Sequence, residues 1–167
     1  MSSAVVTLTI LHTALSLLGI VSGFVVLFGM FGGKRLDGWT AFFLATTVLT
    51  SVTGFFFPVQ GLLPSHVVGI LSLALLAVAI LARYGRRLGG GWRATYVITA
   101  AVALYFNVFV LVVQLFSKVP ALKSLAPTQS EPPFKVAQLV VLVCFVAFTV
   151  QAVRRFHPAQ GQVPAQV

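Results

Sequence analysis

Residues 5–31 read VVTLTILHTALSLLGIVSGFVVLFGMF, twenty-seven positions without one charged side chain. A helix needs about 20 apolar residues to cross the hydrocarbon core of a bilayer, so this run is long enough to span with some tilt. In hydrocarbon every backbone N–H and C=O must be satisfied within the segment, which makes the run helical. It is not expected to be a cleavable signal peptide, because no basic stretch precedes it here and it exceeds the usual length of such an apolar core.

Working outward, four more runs have the same character, at 38–57, 65–84, 92–116 and 132–156. The expected fold is an all-α polytopic transmembrane bundle over 1–157, with five spans, or four if one run is re-entrant. The breaks are legible. Gly32-Gly33-Lys34-Arg35-Leu36-Asp37 is a charged turn, and 58–64 is short, uncharged and bounded by prolines. The stretch 83–91 is basic and glycine-rich, while 117–131 is the only long break. The tail at 158–167 has too little apolar surface to fold and is expected to be disordered on the cytoplasmic side. No internal repeat and no separate soluble domain is evident.

Composition agrees. Hydrophobic residues make up 59% of the 167-residue chain and charged ones only 8%, against about 25% charged in soluble domains. The mean hydropathy is +1.04. Eleven Lys and Arg face two acids, Asp37 and Glu131, for a formal charge of +9. Both acids fall in polar breaks, which removes intramembrane carboxylates as a proton relay, a di-metal site or an acid–base pair. Cys144 is alone, which removes CxxC redox chemistry, Cys-rich zinc sites and internal disulfides.

With five spans, one side receives Lys34, Arg35, Arg83, Arg86, Arg87, Arg93, Arg154 and Arg155, and the other Lys118, Lys123 and Lys135. Cytoplasmic loops carry the Lys/Arg excess, so the N-terminus is expected outside and the C-terminus inside. Trp39, Tyr84 and Trp92 then fall at cytoplasmic helix ends, where amphipathic rings favour the headgroup region. This basic face calls for anionic lipid as a partner rather than nucleic acid. The expected location is the plasma membrane, the inner membrane in a bacterium.

In lipid, polar and small residues turn toward neighbouring helices. His12, Ser16, Gly19 and Gly23 share one stripe of the first span, and Gly19 and Gly23 form a GxxxG. Thr46, Thr50 and Thr53 share a stripe on the second, bonding across helices or back to their own carbonyls. Ser65, Gly69 and Ser72 line the third beside His66, and Tyr96, Ala100, Ala103, Asn107 and Gln114 line the fourth. Gln138 and Thr149 share a face of the fifth. By helical rise, His12 lies roughly 10 Å and Asn107 roughly 14 Å below the outer surface, with His66, Gln114 and Gln138 shallower. Both histidines and three amides therefore converge on the outer half, predicting an outward-facing polar cavity. The outer segment 117–131 either lids that cavity or simply reconnects two helices. Ser130 is expected to cap the last helix, with Pro132 and Pro133 in its first turn.

The ligand-binding candidates are thus His12, His66, Asn107, Gln114 and Gln138. His12 and His66 are also the only nitrogen ligands near the bundle for a metal or haem iron, although their estimated depths differ by roughly 8 Å. A phosphate-binding loop fails, since Phe28 stands where Gly33-Lys34 would need a glycine and Arg35 where it would need Ser or Thr. No Ser-His-Asp set assembles, because Asp37 lies on the opposite side from both histidines.

The segments Thr53-Gly54-Phe55-Phe56-Phe57-Pro58, Pro64-Ser65-His66, and Tyr105-Phe106-Asn107 through Pro132-Pro133-Phe134 carry a resemblance. In hydropathy and motif flavour the chain resembles uncharacterised small multi-helix proteins of bacterial inner membranes. The resemblance implies a membrane bundle and no activity. The expectation is a non-enzymatic bundle that binds or passes a small amphiphilic ligand, or a membrane subunit of a homo-oligomer or larger complex. The alternative is a small haem b or quinone redox subunit using His12 and His66. A channel or transporter would need charged pore residues or paired interruptions within spans, and neither is present.

Overall fold

A computed structural model of the chain describes residues 3–57 and 64–158. Among them there is no strand. The helices are α1 (Ser3–Phe31), α2 (Asp37–Gly54), α3 (Pro64–Ile80), α4 (Trp92–Lys118), the short α5 (Pro120–Leu125) and α6 (Pro132–Arg155), with a π-helical turn at Leu81–Gly85 continuing α3. The expected break at 58–64 and tail at 158–167 lie, apart from Pro64 and Pro158, outside the described residues.

Four segments are long and apolar enough to cross a membrane: α1, His66–Gly85, α4 and α6. α2 falls outside that set because its eighteen residues include Thr40, Thr46, Thr47, Thr50, Ser51 and Thr53. All of these but Thr53 are buried, whereas Trp39, Phe42, Leu49 and Val52 are exposed. Its polar side thus faces the protein and its apolar side faces outward.

Successive long helices run antiparallel. On the α1–α2 seam, Gly23 lies against Phe43, Gly19 against Thr47, and His12 against Gly54. A Cβ at Gly23 would stand 2.5 Å from Leu104 Cδ1 and 2.9 Å from Phe43 Cε2, so α1, α2 and α4 meet there at backbone distance. α4 is central and touches α1, α2, α3 and α6. Its Tyr96, Val97, Ala100, Ala103, Leu104 and Asn107 are buried. α6 lies on the periphery, where Phe145 and Phe148 join an aromatic cluster with Phe24, Phe28 and Phe31 of α1.

Several threonines are satisfied within their own helices, as suits a low-dielectric setting. Thr46 donates to Phe42 O at 2.8 Å, Thr53 to Leu49 O at 2.8 Å, and Thr99 to Thr95 O at 2.8 Å. Of the two options open for the α2 threonines, Thr46 returns to its own helix's carbonyls, while Thr53 does so and also meets His12 of α1.

The start of α6 differs from expectation. Glu131, not Ser130, stands at the cap position. Pro132 and Pro133 remove the first two helical N–H groups, so a side-chain cap has little left to accept from. The Glu131 carboxylate instead turns back and accepts from the Thr128 hydroxyl at 2.8 Å, the Thr128 amide at 3.1 Å and the Ser130 amide at 3.0 Å.

Candidate functional site

The antiparallel order puts the N-terminal part of α1, the C-terminal end of α2, the start of α3 and the C-terminal half of α4 at one end of the bundle. Between them lies an open cavity of about 470 Å³, within the roughly 300–1,000 Å³ typical of small-molecule sites. Four of the expected site residues, His12, His66, Asn107 and Gln114, line it together. The fifth, Gln138, does not. It lies where α6 crosses α4 and donates to Phe109 O at 3.2 Å, so it joins two helices and does not face the cavity.

His12 sits on the α1 wall, with Nδ1 2.9 Å from Thr53 Oγ1 and Phe57 meeting its ring edge-on at 5.2 Å. The Thr53 hydroxyl has one proton, which its contact with Leu49 O engages. We therefore assign the shared proton to His12 Nδ1, with Thr53 accepting. Nε2 is the ring nitrogen left for a ligand. His66 is buried, its ring stacked on Phe55 at 5.6 Å. Close packing of Phe55 on Gly69, where a Cβ would stand 3.1 Å from the Phe55 ring, holds that stack in place.

Asn107 lies deeper. Its Nδ2 is 3.4 Å from Thr47 Oγ1, at the level where Gly19 lets α1 approach both residues. One helical turn from Thr46, Thr50 also lines the cavity. It is only 6% exposed, and among the described residues its hydroxyl has no hydrogen-bond partner. A buried hydroxyl without a partner costs roughly 1–3 kcal/mol, and its place on the wall marks where a ligand's polar group would be stabilised. Thr50 was legible only as one of three threonines on a stripe. The distinction came from its neighbours, which back-bond while it does not.

Lys118 and Val119 are the last residues of the α4–α6 connection to border the cavity. The segment beyond is fastened elsewhere. Gln129 Nε2 donates to Val113 O at 3.0 Å and Ser117 Oγ at 2.6 Å, and Phe134 packs edge-on against Phe116 at 5.4 Å. The strap thus reconnects α4 to α6 and does not cover the mouth.

At the opposite end the structure assembles a cluster that sequence reasoning treated only as topology charges. Arg83, on the π-helical turn, is buried. Its Nη2 donates to Asp37 Oδ1 at 2.6 Å and Arg35 O at 2.9 Å, and its guanidinium lies 5.1 Å from the Tyr96 ring centre. Arg93 Nη1 donates to Val153 O at 2.7 Å and Phe156 O at 2.6 Å, closing the C-terminal carbonyls of α6. The available signal was a single acid, Asp37, among eight cations on one side.

The cavity has no acid on its wall, and among the described residues no three His, Cys, Asp or Glu gather into a metal site. No family model, no curated protein and no solved structure matches the chain.

Proposed function

We propose that the protein is a non-enzymatic membrane bundle that binds a small neutral amphiphile in the cavity bordered by His12, Thr50, Asn107 and Gln114. The observation that carries this reading is the gathering of His12, His66, Asn107 and Gln114, with Thr50, around one hollow whose remaining wall mixes apolar side chains with small hydroxyls and places Lys118 at its end. Its hydrogen-bonding groups are imidazoles, hydroxyls and two amides, with the single Lys118 ammonium and no carboxylate, which suit a carbonyl or hydroxyl head of the quinone type. Phe106, Val110, Leu111 and Leu17 offer apolar wall for the rest of the molecule.

In this reading all five long helices cross the membrane, α2 included, because its exposed face is apolar and its polar face is packed. The Arg83 end is cytoplasmic and the cavity faces outward, following the Lys/Arg excess. The membrane is the plasma membrane, and a larger assembly or a second copy can cover the exposed α6 face. An impermeant thiol reagent should label Ser124→Cys in intact cells; labelling only in opened cells reverses the orientation.

The ligand test is extraction of the purified protein followed by mass spectrometry. A small amphiphile should accompany the wild type in near-stoichiometric amount and be absent from Gly54→Leu, whose side chain would grow toward His12, 3.6 Å from the Gly54 Cβ position. Identical extracts from the two proteins would end the proposal. The haem alternative is favoured by one observation, that His12 and His66 border the same cavity. A Soret band in the purified protein, lost in His66→Leu, is its signature.

A further inference from the structure

The Arg83 end holds a second hollow, of about 290 Å³, walled by Arg35, Arg87, Leu88, Gly90, Arg93 and His157, with Pro158 at its edge. Among the described residues no carboxylate lines it. The acid of that end, Asp37, is engaged by Arg83 at 2.6 Å and by Arg35 Nε at 3.4 Å. Three guanidiniums around one concavity repel each other unless an anion sits among them.

The chain goes to some length to hold them there. Arg93 is pinned by its two carbonyl contacts on α6. Arg87 and Leu88 have φ of 50° and 61°, in the left-handed region that non-glycine residues seldom enter. Two in succession store strain. They persist because the Leu88 side chain is buried and its N–H donates to Ala82 O at 3.0 Å, and this conformation brings Arg87 to the wall.

We propose that the Arg35–Arg87–Arg93 cup binds the phosphate of an anionic phospholipid headgroup. The planar guanidinium matches a phosphate's oxygens in pairs, as lysine does not. A lipid is the source rather than free phosphate because the cup lies at interfacial depth. Trp39 and Tyr84 are exposed at the same end, and Arg86 packs over Trp92 at 5.2 Å, an aromatic belt at the headgroup level. This site is separate from the amphiphile cavity and stands whether or not that reading does.

The test is lipid retention by the full chain in nanodiscs of mixed phosphatidylcholine and phosphatidylglycerol, read by native mass spectrometry. Phosphatidylglycerol should be enriched. Arg87→Gln should lower its retention about fivefold or more, the equivalent of one surface cation with its paired bonds, while Arg154→Gln outside the cup should not. Equal losses from both variants would reduce the effect to diffuse attraction and overturn the cup. An Arg87-dependent rise in thermal midpoint with inorganic phosphate, without phosphatidylglycerol enrichment, would overturn the lipid assignment. If Arg87→Gln proves unstable, Arg87→Lys keeps the charge and loses the fork. Retention equal to wild type in that variant would show that paired guanidinium bonds are not the basis of binding, against the intermediate value expected.

Discussion

At the His12 end, polar side chains border a hollow of about 470 Å³; at the Arg83 end, they are drawn into contacts that knit helices together. His12 reaches Thr53, and Asn107 reaches Thr47 at 3.4 Å, single contacts between neighbouring helices. Arg83 and Arg93 instead each donate twice, Arg83 to the Asp37 carboxylate at the start of α2 and the Arg35 carbonyl before it, Arg93 to the Val153 and Phe156 carbonyls at the end of α6. The difference follows from the donors. A guanidinium has five N–H groups and a long stem, so one side chain can bind several elements. Imidazole and amide groups on helical stripes satisfy one partner and leave space beside them. Mutations at the Arg83 end should therefore register in stability, and those at the His12 end in ligand occupancy.

The largest effect should come from the seam that both ends share. Gly23→Leu forces side-chain atoms into Leu104 and Phe43 and should destabilise by about 3 kcal/mol, the upper part of the overpacking range, with the thermal midpoint in detergent as the readout. Gly19→Ala should cost far less, since its Cβ meets Thr47 Oγ1 at 3.2 Å, a contact a side chain can relax. If both substitutions are silent, the α1 seam faces lipid and the two ends are not coupled through it.

Next is Asp37→Ala, which strands the buried Arg83 guanidinium. Breaking a buried pair costs about 3–5 kcal/mol, but the Asp37 side chain is 68% exposed, so screening should reduce this to about 2 kcal/mol. Arg83→Met, which removes the cation itself, should be milder. The reverse order of midpoints would break the contrast, because it would mean that Arg83 contributes by its stem rather than by its charge.

His12→Leu sharpens the contrast from the other side. Losing one interhelical hydrogen bond in a membrane bundle averages about 0.6 kcal/mol, so the midpoint should barely move while co-purifying amphiphile falls. A fall in midpoint as large as that of Asp37→Ala would make His12 an interhelical anchor and nothing more.

The smallest effect belongs to the strap. Partial desolvation, the largest single influence, would raise the Glu131 carboxyl, but bonds from the Thr128 hydroxyl and the Thr128 and Ser130 amides outweigh it and hold it below its ordinary value of 4.5. A carboxyl lowered in the folded state contributes order that is complete above the unfolded value and is lost as pH falls through the folded one. The protection of the Thr128 and Ser130 amides relative to unstructured amides at the same pH should therefore fall on acidification, and Glu131→Gln should mimic this at neutral pH. Ligand occupancy should stay constant, because the strap beyond Val119 is fastened to α4 and does not border the cavity. A change in occupancy would restore it as a lid.

Much of this was readable one residue at a time. The helix starts at Trp92 and Pro132 followed from a glycine-rich break and a proline pair. The apolar runs demanded helices, because hydrocarbon offers the backbone no other partner. His12, Asn107 and Gln114 could be placed on one cavity by stripe and depth, both of which are local helical geometry. Gln138 could not, since its stripe was legible but not which neighbour that stripe would meet. Only the α4–α6 register put it beside Phe109 O.

Arg83 shows most clearly where sequence stops. A regular α-helix would have continued the α3 stripes, whereas the π-helical turn at Leu81–Gly85 shifts the angular position of every later side chain. Arg83 is thereby buried beside Tyr96 and within 2.6 Å of Asp37, forty-six positions earlier in the chain. Composition, apolar run length and the sparse acids determined a helical chain suited to a membrane, because these are sums over residues. Tertiary structure decided that a topology charge became a buried guanidinium paired to Asp37, that Gln138 met Phe109 O rather than the cavity, and that the strap does not cover the cavity. Each of these depends on which atoms lie within a few ångströms across helices, and no local period encodes that.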